Sequence, residues 1–225
     1  RATAAFEFDR WAGADRWATS AAISQQAFPN GAATVVVASG TGFPDALAAG
    51  PLAGALGAPV LLTRTDALPE AIRAELVRLA PTQVLIAGGP SAVAPAVARA
   101  IEAETGIEPL RLSGANRYET AAAIASHGFP TAGTVYVASG LSFPDALAAG
   151  APGGALDRPI LLAAPTILPP ATEQVIAGLA DPEVVVVGGT QVINEAVLDQ
   201  IRMHTAGMVR RVSGLNRFLT GVAVS

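Results

Sequence analysis

The 225 residues are 51% hydrophobic, 5% aromatic and 14% charged, with a formal net charge of −4. The apolar material is ample for an aliphatic core in one domain or two, and the acidic balance excludes the basic face of a non-specific nucleic-acid binder. Absence of cysteine excludes disulfides and thiolate metal sites. All fourteen basic residues are Arg. Each is permanently charged and planar, suited to carboxylate or phosphate, although a GC-rich coding sequence produces the same bias. The chain begins at Arg1 with no leader-like stretch, as expected of a processed chain or a fragment.

In chain order, RWAGADRWATSAA from Arg10 opens a repeat and forms its lead segment. A body follows in four pieces: TVVVASG at Thr34, FPDALAAG at Phe43, PVLLT at Pro59 and QVLIAGG at Gln83. The lead segment returns as RLSGANRYETAAA at Arg111, and the body as TVYVASG at Thr134, FPDALAAG at Phe143, PILLA at Pro159 and EVVVVGG at Glu183. Between Ala38–Gly50 and Ala138–Gly150, eleven of thirteen positions are identical. A third lead segment, RVSGLNRFLTGVA, starts at Arg211. The expected organisation is a first module over 10–110, a second over 111–210 and the start of a third over 211–225.

The runs TVVVAS, PVLLT, QVLIAG and PLRLS are short, continuous and apolar, as strands buried on both faces require. Helical spacing follows Pro69 (Ile72, Leu76, Leu79) and Pro169-Pro170 (Val175, Ile176, Leu179). Val93, Val97 and Ile101 mark another helix, copied by Val197, Leu198 and Ile201. In FPDALAAG, Pro44 or Pro144 starts a helix, and Asp45 or Asp145 meets the positive end of its dipole. Gly50 or Gly150 is expected to cap it. Ala46–Thr63 is uncharged, but its Gly and Pro residues, and Asp157 and Arg158 in the copy, argue against a membrane span. Strands alternating with helices predict an α/β fold: tandem open parallel-sheet modules with helices on both faces.

Ligands of such sheets bind outside the carboxyl ends of the strands. The loops expected there are Ser39–Asp45, Thr63–Leu68, Gly88–Ala92 and Gly114–Thr120, with their copies. They carry the repeated polar residues: Ser39, Ser139, Asp45, Asp145, the pairs Gly88-Gly89 and Gly188-Gly189, and the arginines of the lead segments. Arg117 either pairs with a loop carboxylate such as Asp145 or faces a groove and meets an anion. Trp17, Tyr118 and Phe218 share one lead-segment position and are read as core packing. Catalysis is not expected. His127 and His204 occupy non-equivalent places, no nucleophile elbow or phosphate loop is present, and the carboxylates stand alone. No cofactor or metal is expected.

The lead segments, with VASG, FPDALAAG and VGG, resemble the cell wall-binding repeat 2 family over Arg10–Ser225. That resemblance implies parallel-sheet α/β units packed in threes about a pseudo-threefold axis. It further implies an exported, wall-located protein of Gram-positive bacteria, attached non-covalently by binding an anionic, teichoic-acid-like glycopolymer. Carried onto this sequence, the lead-segment pattern falls on Arg111, Ser113, Gly114, Asn116, Arg117, Tyr118 and Thr120 in the second copy and on Arg211, Ser213, Gly214, Asn216, Arg217, Phe218 and Thr220 in the third; of these, Arg111, Ser113, Asn116, Arg117 and Arg217 are taken as site candidates. With Ser39, Asp45, Gly88, Gly89, Ser139, Asp145, Gly188 and Gly189, these are the candidate polymer-binding residues. The first lead segment departs from the pattern, with Trp11, Ala12, Asp15 and Trp17 in place of the usual types. The other readings are a structural array that self-associates, by homo-oligomerisation or through a third repeat, and an enzyme acting on a sugar phosphate.

Overall fold

In the computed structural model, which describes residues 9–224, Thr34–Ser39 forms β1, the strand around which the first sheet is built. Its side chains are apolar on both sides: Val35 and Val37 enter one core layer, Val36 and Ala38 another. Such a strand is stable only when both faces are covered. It pairs in parallel with β2 (Val60–Thr63) and β3 (Gln83–Ala87), and β4 (Leu110–Leu112) adds beyond β3. The second sheet repeats this with β5 (Thr134–Ser139), β6 (Ile160–Ala163), β7 (Glu183–Val187) and β8 (Val209–Val212). The strand orders are β2-β1-β3-β4 and β6-β5-β7-β8. Strands β4 and β8 contain Arg111 and Arg211, so the opening of each lead segment completes the sheet before it.

Helices α1 (Arg16–Ala27), α3 (Glu70–Leu79) and α4 (Pro95–Thr105) cover the outer face of the first sheet through Ala21, Ile72, Leu76, Val97 and Ile101. Helices α7 (Pro170–Gly178) and α8 (Glu195–Arg202) cover the outer face of the second through Ile176, Val197, Leu198 and Ile201. Between the sheets lie α2 (Pro44–Ala55), α5 (Arg117–Gly128) and α6 (Phe143–Ala155). One continuous core joins them: Leu47, Ala49 and Leu52 of α2, Ala121 and Ile124 of α5, Ala146 and Ala149 of α6, and the inner faces of both sheets. Helix α5 also sends Ala125 into the outer core of the second module. Helix α9 (Arg217–Val224) packs on α6 as α5 packs on α2. Ser225, the last residue of the expected third repeat, lies outside the described residues.

The expected stops at Gly50 and Gly150 are corrected. Both helices run on to Ala55 and Ala155, through Pro51 and Pro152. Gly50 and Gly150 do not take positive φ; the left-handed residues after these helices are Gly57, at φ +57°, and Asp157, at φ +52°. Tertiary packing overrides the local signal, because the second half of α2 carries Leu52 and Ala53 into the central core. The lead segments are also more structured than the expected Gly114–Thr120 loop. Asn116 Oδ1 accepts from the backbone N–H of Tyr118 and Glu119, both at 3.0 Å, and α5 begins at Arg117. Asp15 caps α1 in the same way, accepting from Ala18 N at 2.8 Å, so the departing first lead segment keeps the joint.

One buried charge distinguishes the modules. Glu75 is 0% exposed, accepts from Ser24 Oγ at 2.5 Å and is bridged by Arg78 at 2.7 Å. Val175 and Ala125 stand at the equivalent places in the second module. Burial pushes the Glu75 carboxyl up, but the hydrogen bonds from Arg78 and Ser24 outweigh it and hold the group below its ordinary 4.5. The unfolded chain therefore takes up this proton first. The stabilisation is present above about pH 4.5 and is lost as pH falls through the folded value. Thermal unfolding followed from pH 6 to pH 3 is expected to show a shallower acid-side loss for Glu75→Gln than for the wild type. Parallel curves would mean that Glu75 does not titrate on unfolding.

Candidate functional site

In each sheet the chain leaves β1 or β5 toward one edge and β3 or β7 toward the other. The connections leaving the carboxyl ends of that still-paired central pair therefore diverge, which opens the crevice where open α/β sheets bind ligands. In the first module the crevice is about 190 Å³, lined by Asp45, Gly89, Ser91, Asn116, Arg117 and Thr120 among others. In the second it is about 390 Å³, lined by Ser142, Asp145, Gly189, Gln191, Asn216 and Arg217 among others. Each crevice joins the body of one repeat to the lead segment of the next.

The carboxylates sit deep. Asp45 and Asp145 occupy the first turns of α2 and α6, where the helix dipole favours a negative charge. Each is pressed against the first glycine of a Gly-Gly turn. A Cβ at Gly88 would lie 2.5 Å from Asp45 Oδ2, and one at Gly188 would lie 2.8 Å from Asp145 Oδ2. These glycines have φ of +118° and +117°, a conformation that side chains rarely adopt. Burial raises the Asp45 carboxyl above its ordinary value, and the charge of Arg117 offsets part of that rise. Among the described residues neither carboxylate has a hydrogen bond or a salt bridge.

The lead-segment arginines brace this edge by reaching carbonyls. Arg111 Nη1 donates to Gly88 O and Arg211 Nη1 to Gly188 O, both at 2.7 Å, fixing the glycine turns. Burial lowers the Arg111 value. Arg16 Nη1 donates to Gly40 O at 2.6 Å, and Arg117 Nη1 to Gly140 O at 2.5 Å. The expected Arg117–Asp145 salt bridge is thus replaced. Arg117 holds the loop after β5 through its carbonyl, and the carboxylate whose field it feels is Asp45 of the preceding body. Arg217 lines the second crevice, with no hydrogen bond or ion pair among the described residues.

Of the candidate residues, Asp45, Gly89, Asn116 and Arg117 meet in the first crevice, and Asp145, Gly189 and Arg217 in the second. The others lie elsewhere. Ser39 and Ser139 are buried and accept from backbone N–H groups of their own loops, Thr41 for Ser39 and Leu141 and Ser142 for Ser139. Ser113 lines a separate groove between α5 and α7. Gly88 and Gly188 form the walls against which the carboxylates rest. Ser91, Thr190 and Gln191 also line the crevices and are not among the candidates, and Asn216, which matches the lead-segment pattern without being one of them, lines the second. Ser91 and Gln191 differ between the copies, so a search for identical positions passes over them. The shared aromatic of the lead segments packs against the core as Trp17 and Tyr118, whereas Phe218 is 79% exposed. Among the described residues no group of three or more His, Cys, Asp or Glu converges to hold a metal, and no helix is long and apolar enough to cross a membrane.

Fold and crevices together define a tandem-repeat α/β protein whose modules each present one cleft at a sheet's carboxyl edge. The model of cell wall binding domain 2 (CWB2) matches residues 10–98 and 111–198, and the chain belongs to this family. It is 34% identical over 209 residues to the N-acetylmuramoyl-L-alanine amidase LytC of Bacillus subtilis (strain 168), a match covering 93% of this chain and 40% of that protein. It is 32% identical over 212 residues to the amidase enhancer of the same organism, covering 93% of this chain and 28% of the enhancer. Cwp6 from Clostridium difficile superposes with a TM-score of 0.88 at 30% identity, over 100% of this chain and 37% of that one. Cwp8 from the same organism superposes with a TM-score of 0.85 at 29% identity, over 94% and 36%. The chain thus spans two fifths or less of these relatives.

Proposed function

We infer that the chain is a non-catalytic attachment module that holds an exported protein on the cell wall by binding an anionic wall glycopolymer in its two crevices. The observation that carries this reading is the repetition of one cleft, with a lead-segment arginine on one wall and a Gly-Gly turn on the other, in a member of a cell wall binding family. A repeating polymer can occupy both clefts at once. The first contact then raises the effective concentration at the second, so two weak sites hold what neither holds alone.

A third repeat body fits the same reading. Helix α5 is packed on two sides, by α2 and by β6 and α7, whereas α9, its equivalent, is packed on α6. Phe218, Val222 and Leu147 are left 79%, 75% and 60% exposed, an apolar face matched to another copy of the repeat.

Co-sedimentation tests the attachment. The chain is expected to pellet with intact Gram-positive walls and to stay in solution with walls stripped of secondary polymer by mild acid. Equal pelleting with both would place the target in peptidoglycan, and pelleting with neither would remove wall attachment from these two modules.

A further inference from the structure

We propose that the first crevice couples anion binding to proton uptake at Asp45, so that attachment through this module tightens as the surroundings acidify. This rests on the attachment reading above and adds the regulation of one of its sites.

A carboxylate stands where the polymer's own negative charge has to go. Asp45 and Arg117 line the same crevice, and in about 190 Å³ a bound anion and a carboxylate cannot be set far apart. Gly88 backs Asp45 so closely that a Cβ there would lie 2.5 Å from its Oδ2, which leaves the carboxylate little room to withdraw. Arg117 acts on Asp45 as a charge, while its Nη1 is engaged by Gly140 O. An anion that enters the crevice meets Arg117 and screens that charge from Asp45. It also adds a like charge of its own at short range. Both effects favour the protonated carboxyl. Burial already holds the Asp45 carboxyl above its ordinary 3.8, against the field of Arg117, so the anion completes a shift that the fold has begun.

The other charges around Asp45 are already committed. From β4, Arg111 donates to Gly88 O at 2.7 Å. From α5, Glu119 accepts from Asn116 Nδ2 at 2.7 Å and from Ala115 N at 2.9 Å, and His127 lies in the last turn, at the far end of that helix. The one charged residue of α6, Asp145, lines the other crevice. The turn after β3, Gly88–Ala92, and the strands β1, β2 and β3 carry no charge. The dipole of α2 favours the ionised carboxylate and therefore works against proton uptake in the empty crevice. A bound anion opposes that dipole with a full charge, so the proton follows the anion.

Affinity for an anion is then lowest well above both Asp45 values, rises as pH falls through the value of the occupied crevice and levels off below that of the empty one. A single proton allows at most about tenfold per pH unit. Sulfate is the probe, because its own charge is constant over the range used. The 225-residue chain is titrated with sulfate at about pH 7.5 and about pH 5, following the backbone amides of Gly89 and Asn116. The Kd is expected to be lower at the acid end by about threefold or more. Asp45→Asn is expected to bind sulfate at the alkaline end at least as tightly as the wild type does at the acid end, and to lose the pH dependence. Glu119→Gln, which keeps a capping side chain, is expected to retain it. In the wild type, the carboxyl carbon of Asp45 is expected to titrate at higher pH with sulfate than without, a readout that needs no variant to fold. A Kd independent of pH, an Asp45→Asn chain that keeps the dependence, an Asp45 titration that sulfate leaves in place, or amides that sulfate does not move would each overturn the proposal. Wall pelleting at the two pH values separates the levels. If the wild type pellets and Asp45→Asn follows it equally at both, the proton linkage alone fails; if the wild type pellets at neither, the attachment reading fails with it.

Discussion

Gly54→Leu is expected to destabilise the chain by about 3 kcal/mol, the upper range for forcing atoms into a packed interior. Helices α2 and α6 touch backbone to backbone where Gly54 meets Gly154. A Cβ on Gly54 would lie 2.5 Å from Gly154 Cα, and one on Gly154 would lie 3.1 Å from Gly54 Cα. No side chain stands between them to yield, so relief requires the helices to part. Parting them opens the shared core around Leu52 and separates Phe43 from Phe143, whose rings lie 5.5 Å apart. Gly50→Ala is the matched control. It lies in the same helix, its Cβ would meet nothing within 4 Å, and alanine is the better helix former. Denaturant midpoints are expected to fall for Gly54→Leu and to hold or rise for Gly50→Ala. A Gly54→Leu chain as stable as the wild type would contradict the close crossing of α2 and α6.

Gly88→Ala is expected to cost about 2–3 kcal/mol, because it adds backbone strain at a positive φ to a steric conflict with a neighbouring carboxylate. The φ of +118° and the 2.5 Å approach of the added Cβ to Asp45 Oδ2 are independent penalties. Asp45→Ala removes the second and leaves the first. The double variant is therefore expected to be more stable than the sum of the single losses by about 1 kcal/mol. Strict additivity in the cycle would show that the glycine turn and the carboxylate do not touch. The same contact explains why Gly-Gly and FPDALAAG recur together in both bodies: the turn and the helix start share one small space.

Much of this architecture was legible in the sequence because its strands are buried on both faces. Runs such as TVVVAS and EVVVV cannot belong to a half-exposed sheet, and their alternation with helical spacings implied the parallel modules that are observed. The helices of the lead segments were not legible. Their inward positions in α5 are small, Ala121, Ala122 and Ala125 with a single Ile124, so they give little periodic contrast. Gly50 misled for a different reason: its local signal is that of a helix end, while the distant contact at Gly154 keeps the helix going.

The carboxyl edge and its carboxylates were also legible, but the partners were not. Order along the chain offers Arg117 either a following carboxylate such as Asp145 or an open groove, whereas the fold turns each lead segment back onto the body before it and sets Arg117 beside Asp45. Repetition marked Ser39 and Ser139 as site residues, although they recur because every copy of the loop needs the same buried hydroxyl to hold its backbone. Identity between repeats records folding needs as faithfully as binding needs, and only geometry separates the two.

The most direct test of the central claim is a map of backbone amide shifts in the ¹⁵N-labelled chain on addition of solubilised wall polymer. Changes are expected to cluster at the two crevices, at Gly89, Asn116 and Arg117 and at Gly189, Asn216 and Arg217. Changes confined to the opposite ends of the sheets, around Gly57, Gly133 and Asp157, would contradict it.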